Sequence, residues 1–392
     1  MPMHPNSSYL IQHLEALPLL DGRYRDIKVM SINRATGVRR GCFSLVFRAF
    51  DELEGQFVAL KFFDISPDNL RMIYRKEAFR REHAVLQALM SKERCLQLAS
   101  SLKHFDIPLP GSGGAEVPCE YFAVEWIDQE IDHYFLEQQT FGALEKLRLF
   151  NEIVLAVEAL HRHTVFHRDV KADNLRAYTK ALKRIVVAID LGTAALWDSP
   201  AALDEYSCQV GHQAYSPPEA ICYFAGDREI APFSDVYALG CLLYELFNLE
   251  SFFVAQRQVN ANYDMFVAAM YTKIGAATTP DMRLEVWKTE VNKICKSIVS
   301  PPIDGIGSSV PEGIASVLNP VVALLTHADF RQRPKLEVVR RRIWAAIRAL
   351  ENEREYQFRL AQARDRRKKR EEKVRRREAR LLTALSLRLE QC

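Results

Sequence analysis

Apolar positions in the first third of the chain come in short, strand-like runs. YRDIKVMSI, CFSLVFRAF and QFVALKFFD fall between residues 24 and 64, and the turn-forming pair Glu54-Gly55 precedes the last of them. From 69 to 99 the period becomes helical, with Phe79, Val85, Leu86 and Leu89 on one apolar face among basic residues. Residues 108–118, PLPGSGGAEVP, have the composition of a loop, and the strand EYFAVEWI follows. Beyond Asp132 the pattern predicts helices, beginning with LEKLRLFNEIVLAVEALHRH and interrupted only around 165–194. Region 251–319 alternates helical pieces such as MRLEVWKTEVNKICKSIV with the Pro/Gly/Ser-rich SPPIDGIGSSVPEG. Strands followed by helices argue for an α+β chain of two lobes.

Residues 351–380 read as one charged helix. Acid-to-base pairs four residues apart occur at Glu355/Arg359, Asp365/Lys369, Glu371/Arg375 and Glu372/Arg376. This changes the meaning of the net charge, which is only +3 over 392 residues. Residues 351–392 hold 14 Lys+Arg against 8 Asp+Glu, whereas the preceding 350 hold 39 against 42. The body is faintly acidic and the tail carries the positive excess. Such a tail is a solvated helix or a contact for an anionic surface or a partner. RDRRKKREEKVRRR has no aromatic residue to stack on bases, which argues against nucleic acid.

With 48% hydrophobic and 26% charged residues the composition is that of a globular protein, which excludes disorder throughout, collagen and a disulfide scaffold. The eight cysteines form no C-x-x-C pair and read as small buried hydrophobes in a reducing compartment. Glu15 and Pro18 interrupt the apolar residues of the N-terminus, so it does not read as a signal peptide. The longest charge-free stretch, 313–328, contains Pro320 and falls short of the roughly 18 residues that a spanning helix needs. The expectation is a soluble, cytoplasmic protein without a transmembrane segment.

Candidate chemistry concentrates in HRDVKADN, residues 167–174. Phosphoryl transfer needs an acceptor for a hydroxyl proton, a cation near the moving phosphate and a metal ligand. Asp169, Lys171 and Asn174 supply those three groups within six residues. The segment resembles the catalytic loop of eukaryotic-type protein kinases, H-R-D-x-K-x-x-N, at every fixed position. Asp190-Leu191-Gly192 then resembles the metal-binding D-F-G triplet, and Val58-Ala59-Leu60-Lys61 resembles the V-A-I-K strand. The resemblance implies that Lys61 reaches the nucleotide phosphates and pairs with a glutamate on the next helix. Glu82 is the best candidate, because Val85 and Leu86 follow at i+3 and i+4; Glu77 is the runner-up.

The same resemblance, covering roughly 24–349, assigns further places. Aligned on Val46, the phosphate-covering loop G-x-G-x-x-G-x-V has Arg39, Gly41 and Ser44 at its glycine positions, with Gly37 nearby. Arg39 is expected to stiffen that loop and add charge near the nucleotide. Ala59 and Val46 would line the nucleotide site, backbone groups of Glu125 and Ile127 would receive adenine, and Val124 would guard the back pocket. Pro217-Pro218-Glu219 resembles A-P-E, with Arg333 as the partner of Glu219, and Asp235 would hold the catalytic loop. Residues 190–219 would form the activation segment, with Ser199, Tyr206 and Ser207 as acceptors for a phosphate that Arg168 would receive. Asp204 and Glu205 could supply part of that charge, and His212 stands where the family has a Thr that contacts Asp169 and Lys171, so that its imidazole either makes a similar hydrogen bond or distorts the site.

The expected whole is a two-lobed α+β kinase fold. A small antiparallel-sheet lobe with one main helix spans 24–127 and a helical lobe spans 128–349, flanked by an extension, 1–23, and a charged helical tail, 350–392. ATP and Mg²⁺ are the implied cofactors, with Asn174 and Asp190 as metal ligands, and Lys171 matches the pattern of kinases that act on Ser or Thr of proteins. The alternative is a pseudokinase-like scaffold whose tail binds a partner.

Overall fold

QFVALKFF and CEYFAVE lack the alternation of a strand with one wet face, and the structure shows why: the sheet they enter is covered on both sides. The structure is a computed structural model that describes residues 3–32, 39, 41, 43–108, 116–136, 141–196, 210–227, 229–304 and 312–389. Its first lobe comprises α1 (Pro5–Ala16), β1 (Tyr24–Val29), β2 (Ser44–Asp51), β3 (Gln56–Phe63), α2 (Pro67–Arg71), α3 (Ile73–Ala88), β4 (Lys103–Pro108) and β5 (Glu116–Glu125). The five strands form one antiparallel sheet in the order β1-β2-β3-β5-β4. One face packs through Phe63, Phe122 and Val124 on Phe79, Val85 and Leu86 of α3. The other, bearing Leu45, Phe47, Leu60, Phe62 and Tyr121, is covered by Leu10, Ile11 and Leu14 of α1. The N-terminal extension is thus a helix built into the lobe's core, with Pro5 in its first turn and His4 capping the Asn6 N–H.

The helix expected over 69–99 is two shorter ones. Met72 is extended (φ −98°, ψ 90°) between α2 and α3, and α3 stops at Ala88. The backbone beyond it turns through positive φ at Ser91 and Arg94 and then donates to β5. Ala99 N–H reaches Ala123 O at 2.8 Å, and Glu125 N–H reaches Gln97 O at 2.9 Å. Those β5 bonds replace the helical ones, and the apolar Leu96 and Leu98 join the core that β5, α3 and α5 share. The expected loop at 108–118 is shorter too, because Glu116, Val117 and Pro118 already pair with β4; residues 109–115 lie outside the described residues.

The second lobe follows as β6 (Gln129–Glu130), α4 (His133–Leu136), α5 (Ala143–Arg162), β7 (Val165–Phe166), β8 (Leu175–Lys180), β9 (Lys183–Ala188) and β10 (Ala195–Leu196). After these come α6 (Pro218–Ile221), α7 (Ala231–Asn248), α8 (Phe252–Val259), α9 (Tyr263–Gly275), α10 (Pro280–Ile294), α11 (Glu312–Leu325) and α12 (Leu336–Leu389). Region 251–319 carries α8, α9, α10 and the start of α11, separated among the described residues by non-helical stretches at 260–262, 276–279 and 295–304. Tyr263, Val267, Met270 and Ile274 of α9 and Trp287, Val291 and Ile294 of α10 close a separate core over Cys222, Phe224 and Phe330. Among the described residues no single helix is long and apolar enough to cross a membrane. Of the cysteines, Cys95, Cys119, Cys222 and Cys241 are free and buried and Cys295 is half-buried.

α12 starts inside the lobe, where Val339, Ile343, Ala346, Ile347 and Leu350 are buried, and continues unbroken into the charged tail. From 352 to 373 its described side chains are exposed. Glu355/Arg359 (2.5 Å) and Asp365/Lys369 (2.8 Å) pair as their spacing predicts. Glu371 is taken from the other direction, by Arg367 at 2.9 Å. The side chains of Arg375 and Arg376 lie outside the described residues.

Candidate active site

The loop after α5 is pinned from below by one buried carboxylate. Asp235, in the first turns of α7, accepts from His167 N–H (2.8 Å) and Arg168 N–H (2.7 Å), and His161 Nε2 lies 2.8 Å away. Burial opposes its charge, but those partners hold the carboxyl below its usual range. Arg168 takes a left-handed φ of 62°, a strain that Asp235 is placed to hold. The chain then makes a single 3-10 turn at Ala172–Asn174, which folds Asn174 back. Its Nδ2 donates to both O and Oδ2 of Asp169 at 2.9 Å, and Lys171 Nζ lies 3.0 Å from the same Oδ2.

Asp169 receives its third donor from a distant segment. His212 N–H reaches Oδ1 at 2.7 Å, across 43 residues of chain. Gly211 makes this approach possible: at φ +81°, a Cβ there would stand 2.3 Å from the Arg168 carbonyl oxygen. The composition around HQAY shows nothing unusual, and no local pattern distinguishes this glycine from an ordinary turn residue. The imidazole of His212 behaves differently from the expectation. Its Nδ1 accepts from Ala214 N–H at 3.2 Å, capping the turn Gln213–Tyr215, and the backbone alone contacts Asp169.

A second cluster joins the two lobes. Lys61, opposite Val46 and Phe122 in the sheet, places Nζ 2.5 Å from Glu82 Oε2 and 2.8 Å from Asp190 Oδ1. Glu82 lies on the buried face of α3 and also accepts from Leu191 N–H at 3.2 Å, whereas Glu77 is exposed. Burial pushes the Glu82 carboxyl up, while Lys61 pulls the Asp190 carboxyl down. Burial disfavours the Lys61 ammonium, but Asp190 and Glu82 outweigh it and keep the group charged. Two carboxylates thus share one ammonium, leaving a local excess of negative charge. Asp190 is left-handed (φ 60°, ψ 63°), and its side chain remains 42% exposed.

Above the cleft, Ala59 and Val124 are direct cross-strand partners and cluster with the half-buried Val46 and Ile127. Glu125 closes β5, its N–H held by Gln97. Ser44 opens β2 opposite Phe63, and Gly41 takes φ +87°. Arg39 does not bring charge to the cleft. Its guanidinium turns to Asp64 (2.5 Å) and the Ser44 carbonyl (3.2 Å), because a carboxylate as buried as Asp64 requires a partner. Gly37 lies outside the described residues.

The segment expected to be the activation segment is described beyond 196 only from Val210, so Ser199, Asp204, Glu205, Tyr206 and Ser207 lie outside the described residues. Arg168 is buried, and its guanidinium donates to the Thr193 (2.8 Å) and Ala225 (3.1 Å) carbonyls. Glu219 and Arg333 meet as a two-pronged pair with both side chains fully buried.

A cleft of about 300 Å³ is lined by Lys171, Asp173, His212, Tyr215, Glu245 and Glu250. Glu245, which the sequence reading did not single out, accepts from Tyr215 Oη (2.7 Å) and Phe252 N–H (3.2 Å). Burial pushes its carboxyl up to about 7, against those two bonds. A folded-state value above the ordinary 4.5 stabilises the fold at low pH, and that contribution fades from about pH 4.5 and is gone above about pH 7. Between pH 5 and 8 the wild type is therefore expected to lose about 2–3 kcal/mol of stability relative to Glu245→Gln. Urea unfolding of both proteins across that range checks this; parallel pH profiles would show Glu245 ionised throughout.

This bilobal arrangement is that of a known family. The protein kinase domain model matches residues 33–334, and the chain belongs to that family. It is 26% identical to cyclin-dependent kinase 12 of Caenorhabditis elegans over 55% of this chain and 28% of that protein. It is 29% identical to the probable serine/threonine-protein kinase PknB of Corynebacterium glutamicum over 53% of this chain and 29% of that protein. Similarity to the cell division control protein 2 homolog 3 of Trypanosoma brucei brucei is lower, 23%, but spans 64% of this chain and 75% of that protein. The matched region thus covers less than a third of the first two relatives.

Proposed function

We propose that this chain is an active protein kinase that transfers the γ-phosphoryl group of Mg-ATP to serine or threonine hydroxyls of proteins. One observation carries the reading: the Lys61–Glu82–Asp190 bridge is closed across the lobes while Asp169 is held by three donors. The donor set suits a divalent metal bound together with phosphates rather than in a protein cage. Asp190 is partly exposed beside an excess of carboxylate charge, and among the described residues no cluster of three or more His, Cys, Asp or Glu could hold an ion alone.

When bound, Mg-ATP supplies the activated phosphoryl group and the charge that neutralises it in transfer. Asp190 and Asn174 would hold the metal, the Asn174 oxygen being left for it by an amide nitrogen committed to Asp169. Lys61 would meet the phosphates, kept in place and charged by Glu82. Gly41, Ser44, Val46, Ala59, Glu125 and Ile127 would line the nucleotide. Asp169 orients the acceptor hydroxyl and takes its proton, and Lys171, beside Oδ2, is placed to meet the charge on the moving phosphate. Lys171 two residues after Asp169 supports a Ser/Thr acceptor. The tail, 351–392, is a candidate contact for a partner protein or an anionic surface, and the cytoplasm is the expected location.

Incubation of the full chain with Mg²⁺, γ-labelled ATP and a Ser/Thr/Tyr peptide library tests the reading. Label on serine or threonine is expected, and label on tyrosine alone would refute the acceptor class. Nucleotide binding with no transfer would favour a scaffold whose tail is the functional part.

A further inference from the structure

Asp64 lies just past the end of β3, three residues from Lys61, and is fully buried. Three elements converge on its carboxylate. Ser7 of α1, itself fully buried, donates to Oδ1 at 2.7 Å. Asn69 of α2 donates to Oδ2 at 3.0 Å, and its own Oδ1 accepts from Arg75 of α3 at 2.6 Å. Arg39, from the strap between β1 and β2, reaches Oδ2 at 2.5 Å. The backbone N–H of Asp64 also holds the strap, donating to Phe43 O at 3.0 Å. On the inner side, the Phe43 ring rests so close to Gly192 that a Cβ there would lie 3.1 Å from it. The strap is thus tied outward to Asp64 and inward to the turn that carries Asp190.

Arg39 in this strap and Ser44 at the start of β2 stand where two glycines would give the backbone its freedom. We propose that Ser7, Asp64 and Arg39 form a latch that fixes Arg39, Phe43 and Ser44 beside the turn carrying Asp190 and raises the affinity for the nucleotide phosphates, so that α1 acts on nucleotide binding through one buried carboxylate. The physical reason is preorganisation. A backbone without such anchors must be ordered when its ligand binds, whereas Arg39 and Phe43, held by bonds to one buried residue, are placed when the lobe folds. The carboxylate enforces this, since burying it ionised is costly without partners. Ser7, Asp64 and Arg39 are positioning residues in this device, and the proposal rests on the nucleotide-binding reading above.

The test uses the full chain, with Arg39→Met, Arg39→Lys, Ser7→Ala and the Arg39→Met/Ser7→Ala pair. Mg-ATP affinity is measured by calorimetry, and amide exchange is followed in peptides covering 39–46. Arg39→Met is expected to weaken Mg-ATP about tenfold, Ser7→Ala about threefold, and the pair by less than the product, with kcat at saturating nucleotide little changed. Arg39→Lys should restore part of the affinity. Exchange at 39–46 should accelerate in step with the loss. Wild-type affinity and wild-type exchange in both single variants would overturn the latch, as would a lowered melting temperature with unchanged affinity. If the wild type binds no Mg-ATP, the proposed function falls, and unchanged exchange at 39–46 in the variants would then separately refute the latch.

Discussion

Asp169→Asn is expected to lower kcat for phosphate transfer about 10²–10⁴-fold while leaving the Mg-ATP dissociation constant within a few-fold of wild type. The argument is one of donors and acceptors. In the wild type every neighbour of this carboxylate donates: His212 N–H to Oδ1, and Asn174 Nδ2 and Lys171 Nζ to Oδ2. An asparagine keeps an acceptor for His212 only by turning its own NH₂ toward Asn174 and Lys171, donor against donors. The variant loses the proton acceptor and sets Lys171 adrift, yet Asp235 still pins the loop through His167 and Arg168. Steady-state rates on a serine peptide, with calorimetry of Mg-ATP and a melting curve, separate these effects. A kcat within tenfold of wild type would remove Asp169 from the chemistry.

The largest effect on stability is expected from Arg333→Ala, about 3–5 kcal/mol. Both members of the Glu219–Arg333 pair are fully buried, and the guanidinium also donates to the carbonyls of His327 (2.8 Å), Phe233 (3.0 Å) and Ala328 (3.5 Å). It lies 5.0 Å from the centroid of the Tyr237 ring. Removing it strands a carboxylate and three carbonyls in the core of the helical lobe, and desolvated groups without partners account for the size of the loss. Adding Glu219→Ala to Arg333→Ala should then cost less than about 1 kcal/mol more, since the stranded charge is gone. Urea unfolding followed by Trp287, which packs on Phe330 in the same lobe, reads both variants. Additive losses would show that the pair is not coupled.

Chemistry that a short segment can assemble by itself was legible in the sequence. HRDVKADN names Asp169, Lys171 and Asn174, and one tight turn closes them into contact. The partner of Lys61 was narrowed to Glu82 or Glu77 by helical spacing, and burial against the sheet chose Glu82. Other features left weaker traces. Leu10, Ile11 and Leu14 of α1 have helical spacing, but a run so short does not say which surface it covers. Lys61 apart, β3 is apolar along most of its length, and the second cover it requires is supplied by α1. Asp64 and Ser7, an acid at a strand end and a serine near the terminus, have no pattern that joins them across 57 residues.

By itself the sequence determined the two-lobed α+β class, the gathering of Asp169, Lys171 and Asn174 in one loop and the charged character of the tail. These rest on short-range periodicity and on spacings of a few residues, where backbone geometry leaves few alternatives. Tertiary structure alone decided that Arg39 serves Asp64 instead of the cleft, that His212 reaches Asp169 through its backbone, and that α1 belongs to the core. Each is a contact over 25 to 57 residues of chain. At that range the outcome depends on which apolar faces bury one another, and on the need of each carboxylate so buried to find a donor.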